Sequence, residues 1–159
     1  MNNFDSILNF HKKEILPITI LSDSLIWGNM YSAKSIRIEG IFEGNIYSKN
    51  KIIVDDNASI KGDIIANDID ISGKVVGSIF CANKVNLKNG AKVVGSIYAY
   101  TFKNEAGSVF NNQLNLFNEK NFKAIQLLMD EINPNEGFFE SSYLKKIKSY
   151  IKSEVNINF

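Results

Sequence analysis

IWGNM (26–30), FEGNI (42–46), IKGDI (60–64), VVGSI (75–79) and VVGSI (93–97) are five copies of one phrase. FNNQL (110–114) is a degenerate sixth copy. The glycines stand at 28, 44, 62, 77 and 95, with Asn112 in the sixth slot, so the gaps are 16, 18, 15, 18 and 17 residues. A helix-pair repeat needs more than about thirty residues per unit. A period near seventeen fits one coil of a β-solenoid, each coil stacking on the one before.

Within each copy apolar and polar residues alternate, which is a strand pattern. One inner column then reads Ile26, Phe42, Ile60, Val75, Val93 and Phe110. A second reads Met30, Ile46, Ile64, Ile79, Ile97 and Leu114. Further on, Ile36/Ile38, Ile52/Val54, Ile69/Ile71 and Val85/Leu87 repeat the alternation. The period of two places Trp27, Glu43, Lys61, Val76 and Val94 outside. The column glycine is expected where a Cβ would crowd the neighbouring coil or where the backbone bends. Each buried aliphatic side chain contributes roughly 1.5–3 kcal/mol, so the stack needs no cofactor, metal or disulfide. Five to six coils about 4.8 Å apart make a rod of roughly 25–30 Å.

The ends of such a rod present unpaired backbone groups and an open apolar cross-section. Uncapped solenoids stack on one another. Phe110 and Leu114 stand in the core columns of the last copy, and nothing after them reads as a cap built into the solenoid. The expectation is end-to-end polymerisation.

The run IRIEGIFEGNIYSKNKIIVDDNASIKGDIIANDIDISGKVVGSI (36–79), with AGSVFNN (106–112) closing the last coil, resembles a bactofilin domain. The resemblance covers roughly residues 19–114. It implies an all-β core, a single-stranded, right-handed, triangular β-helix. It implies nucleotide-independent bacterial cytoskeletal filaments built through solenoid ends. It also implies attachment to the inner membrane by a short N-terminal segment and a scaffold role in cell shape or wall synthesis. A hydrophobic residue of the terminal coil matters for assembly in that family, and Phe110 is the matching position. Two departures stand out: Asn112 replaces the usual glycine, and Asn104 occupies a normally aliphatic inner position. An unpaired buried amide costs a few kcal/mol, so Asn104 is expected to face solvent. The polymer interface expected from this is Phe102, Phe110 and Leu114 at one end and Ile18, Ile20 and Ile26 at the other.

The flanks differ from the repeat. Both prolines, 17 and 134, lie outside it, and nine of ten glycines lie within 28–107. The expected organisation is a tail over 1–18, a bactofilin-like β-helix over 19–114 and a helical hairpin over 115–159. In the tail, Phe4, Ile7, Leu8, His11 and Ile15 share one face of a short helix, beside Lys12 and Lys13. This reads either as a membrane-surface anchor contacting lipid through Phe4, Ile7, Leu8, Lys12 and Lys13, or as a segment packed on the first coil. Many copies in a filament would strengthen a weak anchor by avidity. After the repeat the period changes. Phe122, Ile125, Leu128/Met129 and Ile132 form a helical stripe, with Asn118 as N-cap and Glu119 in the first turn. NPNEG (133–137) ends it, and Phe139, Tyr143, Ile147 and Tyr150/Ile151 make a second stripe beside Lys145, Lys146, Lys148 and Lys152. That hairpin reads as packed on itself, on the solenoid or on a second subunit, or as a basic partner-docking or membrane-facing element.

The net charge of +1 does not suggest a nucleic-acid binder. Cys81 is the single cysteine and follows Ile79 at the inward position, so it reads as a small buried hydrophobe. With no disulfide, no secretory signal and no run near 20 apolar residues, the chain reads as cytoplasmic, peripheral on the inner membrane. Catalysis lacks its residues. Left-handed β-helix acyltransferases need a solenoid histidine as general base, and the one histidine is His11. Zinc hydratases on that fold need several histidine ligands. Asp55/Asp56 and Asp68/Asp70 read as a corner and a solvated strand face. The glycines recur singly, without a P-loop lysine, so no nucleotide is expected. The reading is therefore a non-enzymatic homopolymer that recruits cell-envelope or shape proteins. The alternative is a non-polymerising adaptor whose C-terminal helices cap the rod and bind partner proteins.

Overall fold

The computed structural model describes residues 16–131, 145, 146, 148–150, 152 and 153. They form a parallel β-solenoid of six coils followed by a helix. The first coil carries β1 (Ile18–Ile20), β2 (Leu25–Trp27) and β3 (Met30–Ser32). The second carries β4 (Ile36–Ile38), β5 (Ile41–Glu43) and the start of β6 (Ile46–Val54). The end of β6, β7 (Ser59–Lys61) and the start of β8 (Ile64–Ile71) make the third. The fourth uses the end of β8, β9 (Lys74–Val76) and the start of β10 (Ile79–Leu87). The end of β10, β11 (Lys92–Val94) and β12 (Ile97–Ala99) form the fifth. The last holds β13 (Thr101–Asn104), β14 (Val109–Asn111) and β15 (Leu114–Leu116). Helix α1 (Glu119–Asp130) follows.

Each coil thus has three straight segments, and like segments stack into three faces. On the first face the register runs Ile26–Phe42–Ile60–Val75–Val93–Phe110. On the second it runs Met30–Ile46–Ile64–Ile79–Ile97–Leu114. On the third, Ile18, Ile36, Ile52, Ile69, Val85 and Phe102 align. These are the columns that the alternation requires, and together they make one continuous apolar core. Alternation acts here through side-chain direction: successive residues of a strand point to opposite faces, so only every second residue needs to be apolar.

The corner between the first two faces is held by two devices. Its glycines at 44, 62, 77 and 95 all have positive φ, between 142° and 149°, and a Cβ on any of them would meet the carbonyl oxygen of the glycine one coil below. Beside them, side chains form a ladder along the rod. Asn29 Oδ1 accepts the Asn45 N–H at 2.9 Å, Asn45 Oδ1 that of Asp63 at 2.9 Å, and Asp63 Oδ1 that of Ser78 at 3.0 Å. These bonds cross between coils and pin the corner register. Asn112 keeps the corner's positive φ, at 113°, which asparagine tolerates better than most residues. The last coil accordingly stays in register despite that substitution. Asn104 also stays in its column, opposite Leu87. It is exposed because it belongs to the last coil, with no further coil to cover it.

Cys81 lies fully buried in the core, its thiol donating to the Asn67 carbonyl at 3.2 Å. Burial pushes that thiol well above its ordinary pKa, which suppresses the thiolate.

Candidate assembly interfaces

Among the described residues, the strands at each end of the rod pair on one side only. β1, β2 and β3 have neighbours only toward the second coil, and β13, β14 and β15 only toward the fifth. Among the described residues both ends therefore carry strand edges without a partner strand, the feature through which solenoids and sheets template further pairing.

At the C-terminal end Phe102, Phe110 and Leu114 are half-buried, packed from above onto the core. Phe102 and Phe110 meet edge to face, 5.3 Å between ring centroids. Val109 (53% exposed) and Leu116 (49% exposed) extend this apolar surface at the rim. At the N-terminal end Ile18 and Ile26 are exposed, whereas Ile20 is buried within its own chain and offers no surface. Met30, half-buried against the core, completes that end. Its place at the foot of the second column makes it part of the end surface, beyond the residues expected from sequence. Phe4, Ile7, Leu8, Lys12 and Lys13 lie outside the described residues, as do Ile132, the 133–137 turn, and Phe139, Tyr143, Ile147 and Ile151 of the second helical stripe.

The side of the rod holds what sequence reasoning missed. Next to each second-column residue stands an outward one, and these align as Tyr31–Tyr47–Ile65–Phe80–Tyr98. Four of the five are aromatic, and Tyr31 stacks on Tyr47 while Phe80 stacks on Tyr98. Following the inward columns left this outward one unread, although an apolar outer column signals a covering element. That element is α1. Asn118 caps it, its Oδ1 accepting the Asn121 N–H at 2.9 Å. Phe117, Ile125 and Met129 bury against Tyr47, Ile65, Phe80 and Ala82. Phe122 stacks on Tyr100, Gln126 bonds Asn67, and the Tyr47 hydroxyl donates to the Met129 carbonyl at 3.4 Å. Its contacts thus descend from the fifth coil to the second. A 12-residue helix is about 18 Å long, enough for the three coil spacings of about 4.8 Å that this path covers. Residues 145, 146, 148–150, 152 and 153 are helical too. There Lys148 pairs with Asp63 at 2.7 Å and lies over the Phe80 ring, and Lys152 lies over the same ring.

The described helical residues thus run along the side of the rod and not across its end, so they do not form the cap that an adaptor reading requires. Replacing Ile125, fully buried on the rod-facing side of α1, with Ala is expected to cost about 2–5 kcal/mol of α1 docking. Hydrogen exchange should speed up in α1 and leave the strand amides of β8 protected. Unchanged α1 protection would contradict this packing.

Three of the four carboxylates singled out above have polar partners on the rod. Asp55 pairs with Arg37 at 2.7 Å, Asp70 with Lys51 at 2.7 Å, and Asp68 accepts from Asn83 at 2.9 Å. Among the described residues no group of three or more His, Cys, Asp or Glu side chains is placed to hold a metal, and no helix is long and apolar enough to cross a membrane.

No curated protein and no solved structure matches the chain. Residues 18–115 match the family model described as "Bactofilin: Polymer-forming cytoskeletal".

Proposed function

The chain belongs to the bactofilin family, and from that premise we propose that it is a cytoskeletal scaffold whose filaments grow, without nucleotide, by contact between solenoid ends. The observation that carries this reading is that, among the described residues, the strands at both ends pair on one side only, around an apolar centre. Phe102, Phe110 and Leu114 supply one contact, and Ile18, Ile26 and Met30 the other. Stacking extends the same hydrogen-bonded ladder and the same columns that hold the coils together within one chain. It needs no bond energy from hydrolysis, because burying the apolar ends drives it.

The polymer lies at the inner membrane, held through the N-terminal segment with Phe4, Ile7, Leu8, Lys12 and Lys13, and organises cell-envelope or shape proteins. It is not an enzyme. Sedimentation of the purified full-length chain tests the polymer: it should pellet equally with and without ATP or GTP. A chain that stays in the supernatant at all concentrations, or that pellets only with nucleotide, would refute the proposal.

A further inference from the structure

The three faces of the rod differ in what they show to solvent. The second carries the aromatic column beneath α1. The third carries ion pairs, Arg37 with Asp55 and Lys51 with Asp70. The first, made of β2, β5, β7, β9, β11 and β14, has neither. Its outward positions include five exposed large apolar residues: Leu25, Trp27, Ile41, Val94 and Val109. Trp27 is 70% exposed. Between them stand Lys61, Lys74 and Lys92, all exposed, against one acid, Glu43. Leu25 neighbours Ile41 across the strands, Lys74 neighbours Lys92, and Lys92 neighbours Val109.

We propose that this face lies flat on an anionic lipid bilayer when the chain is in a filament. The inference rests on the polymer reading and identifies a second lipid contact, on the solenoid itself. Three properties select the occupant. Charge is the first: three ammonium groups to one carboxylate suit a layer of lipid phosphates. A second copy docked face to face would bring lysine toward lysine. Size is the second: six three-residue strands present roughly 24 Å by 10 Å. That is about 250 Å², well below the roughly 800 Å² per partner of a stable protein interface. A surface this small binds a sheet of lipid through repetition along a filament, where effective concentration multiplies weak contacts. The third is chemical type: tryptophan favours the headgroup boundary, and lysine stems lie along apolar surface with the charge at the phosphates.

Trp27 is the only tryptophan of the chain, so in preformed filaments a change in its emission on adding vesicles reports this face. Filaments of the full-length protein are mixed with vesicles of phosphatidylglycerol and phosphatidylcholine bearing brominated acyl chains. The expected result is a blue shift and quenching of Trp27, absent with phosphatidylcholine alone. Each lysine near an anionic surface strengthens binding about fivefold, so Lys61→Gln/Lys74→Gln/Lys92→Gln should weaken it about a hundredfold. Filaments that sediment with anionic vesicles while Trp27 emission stays unchanged would overturn the inference and leave the N-terminal anchor standing. Equal quenching by phosphatidylcholine alone would also overturn it. Failure of the polymer reading shows separately, as an absence of filaments in micrographs taken before vesicles are added, and it removes this inference with it.

Discussion

Gly77→Ala is expected to destabilise the solenoid by more than about 4 kcal/mol. Gly77 has φ of +148°, and a Cβ there would stand 2.0 Å from the Gly62 carbonyl oxygen. That neighbour is backbone, so it has no rotamer into which to retreat. Relief requires the coils to separate at that corner, which breaks the Gly62 N–H to Val76 carbonyl bond (2.9 Å) and the Ile64 N–H to Ser78 carbonyl bond (3.0 Å) around it. Backbone strain of about 1–3 kcal/mol adds to about 1 kcal/mol for each bond lost and to the overlap itself. A stability loss beyond about 4 kcal/mol lowers the melting point by more than about 8–10 °C in a chain of this size. Gly28→Ala is the control. It shares the positive φ, but nothing lies within 4 Å of its Cβ position, so only the conformational cost applies. Thermal melts followed by circular dichroism compare them, and melting points for Gly77→Ala and wild type within a few degrees would contradict the close stacking of that corner.

Phe110→Arg is expected to stop assembly and leave each rod folded. Phe110 is half-buried on the last coil, edge to face with Phe102. In the isolated chain an arginine there extends into water past the open end. In a stacked pair it becomes a desolvated charge without a partner, which costs about 3–5 kcal/mol. The critical concentration for pelleting should rise at least about a hundredfold, since each 1.4 kcal/mol is a factor of ten. Circular dichroism should still show the strand signal. Pelleting at the wild-type concentration would move the assembly contact away from this end.

The inner columns were legible in the sequence because two constraints coincide there. A parallel stack puts like positions in register, and a corner that excludes a Cβ repeats its glycine. Phe42, Ile60, Val75 and Val93 therefore announce themselves by spacing alone. The outer side was harder to read. Tyr47 and Phe80 occupy outward positions, and only a covering element makes an aromatic residue favourable there. The amphipathic stripe of α1 was visible, but its target was not: Ile125 and Met129 suit any apolar surface, and nothing local in the sequence says that the helix returns along the rod. Ile20 illustrates a smaller limit. Alternation assigns it to the end surface as readily as Ile18, yet one is buried and the other exposed. At a rod end, burial depends on the connecting chain as well as on the strand pattern.

Diffraction from oriented filaments tests end-to-end stacking most directly. Strands run around the rod, so rods joined end to end place the strand spacing along the filament axis. The expected pattern has a meridional reflection near 4.8 Å and an axial subunit spacing of about 30 Å, or twice that if like ends meet. A strand reflection on the equator, or a subunit spacing well below the rod length, would mean that the rods lie across the filament and that its contacts are not the solenoid ends.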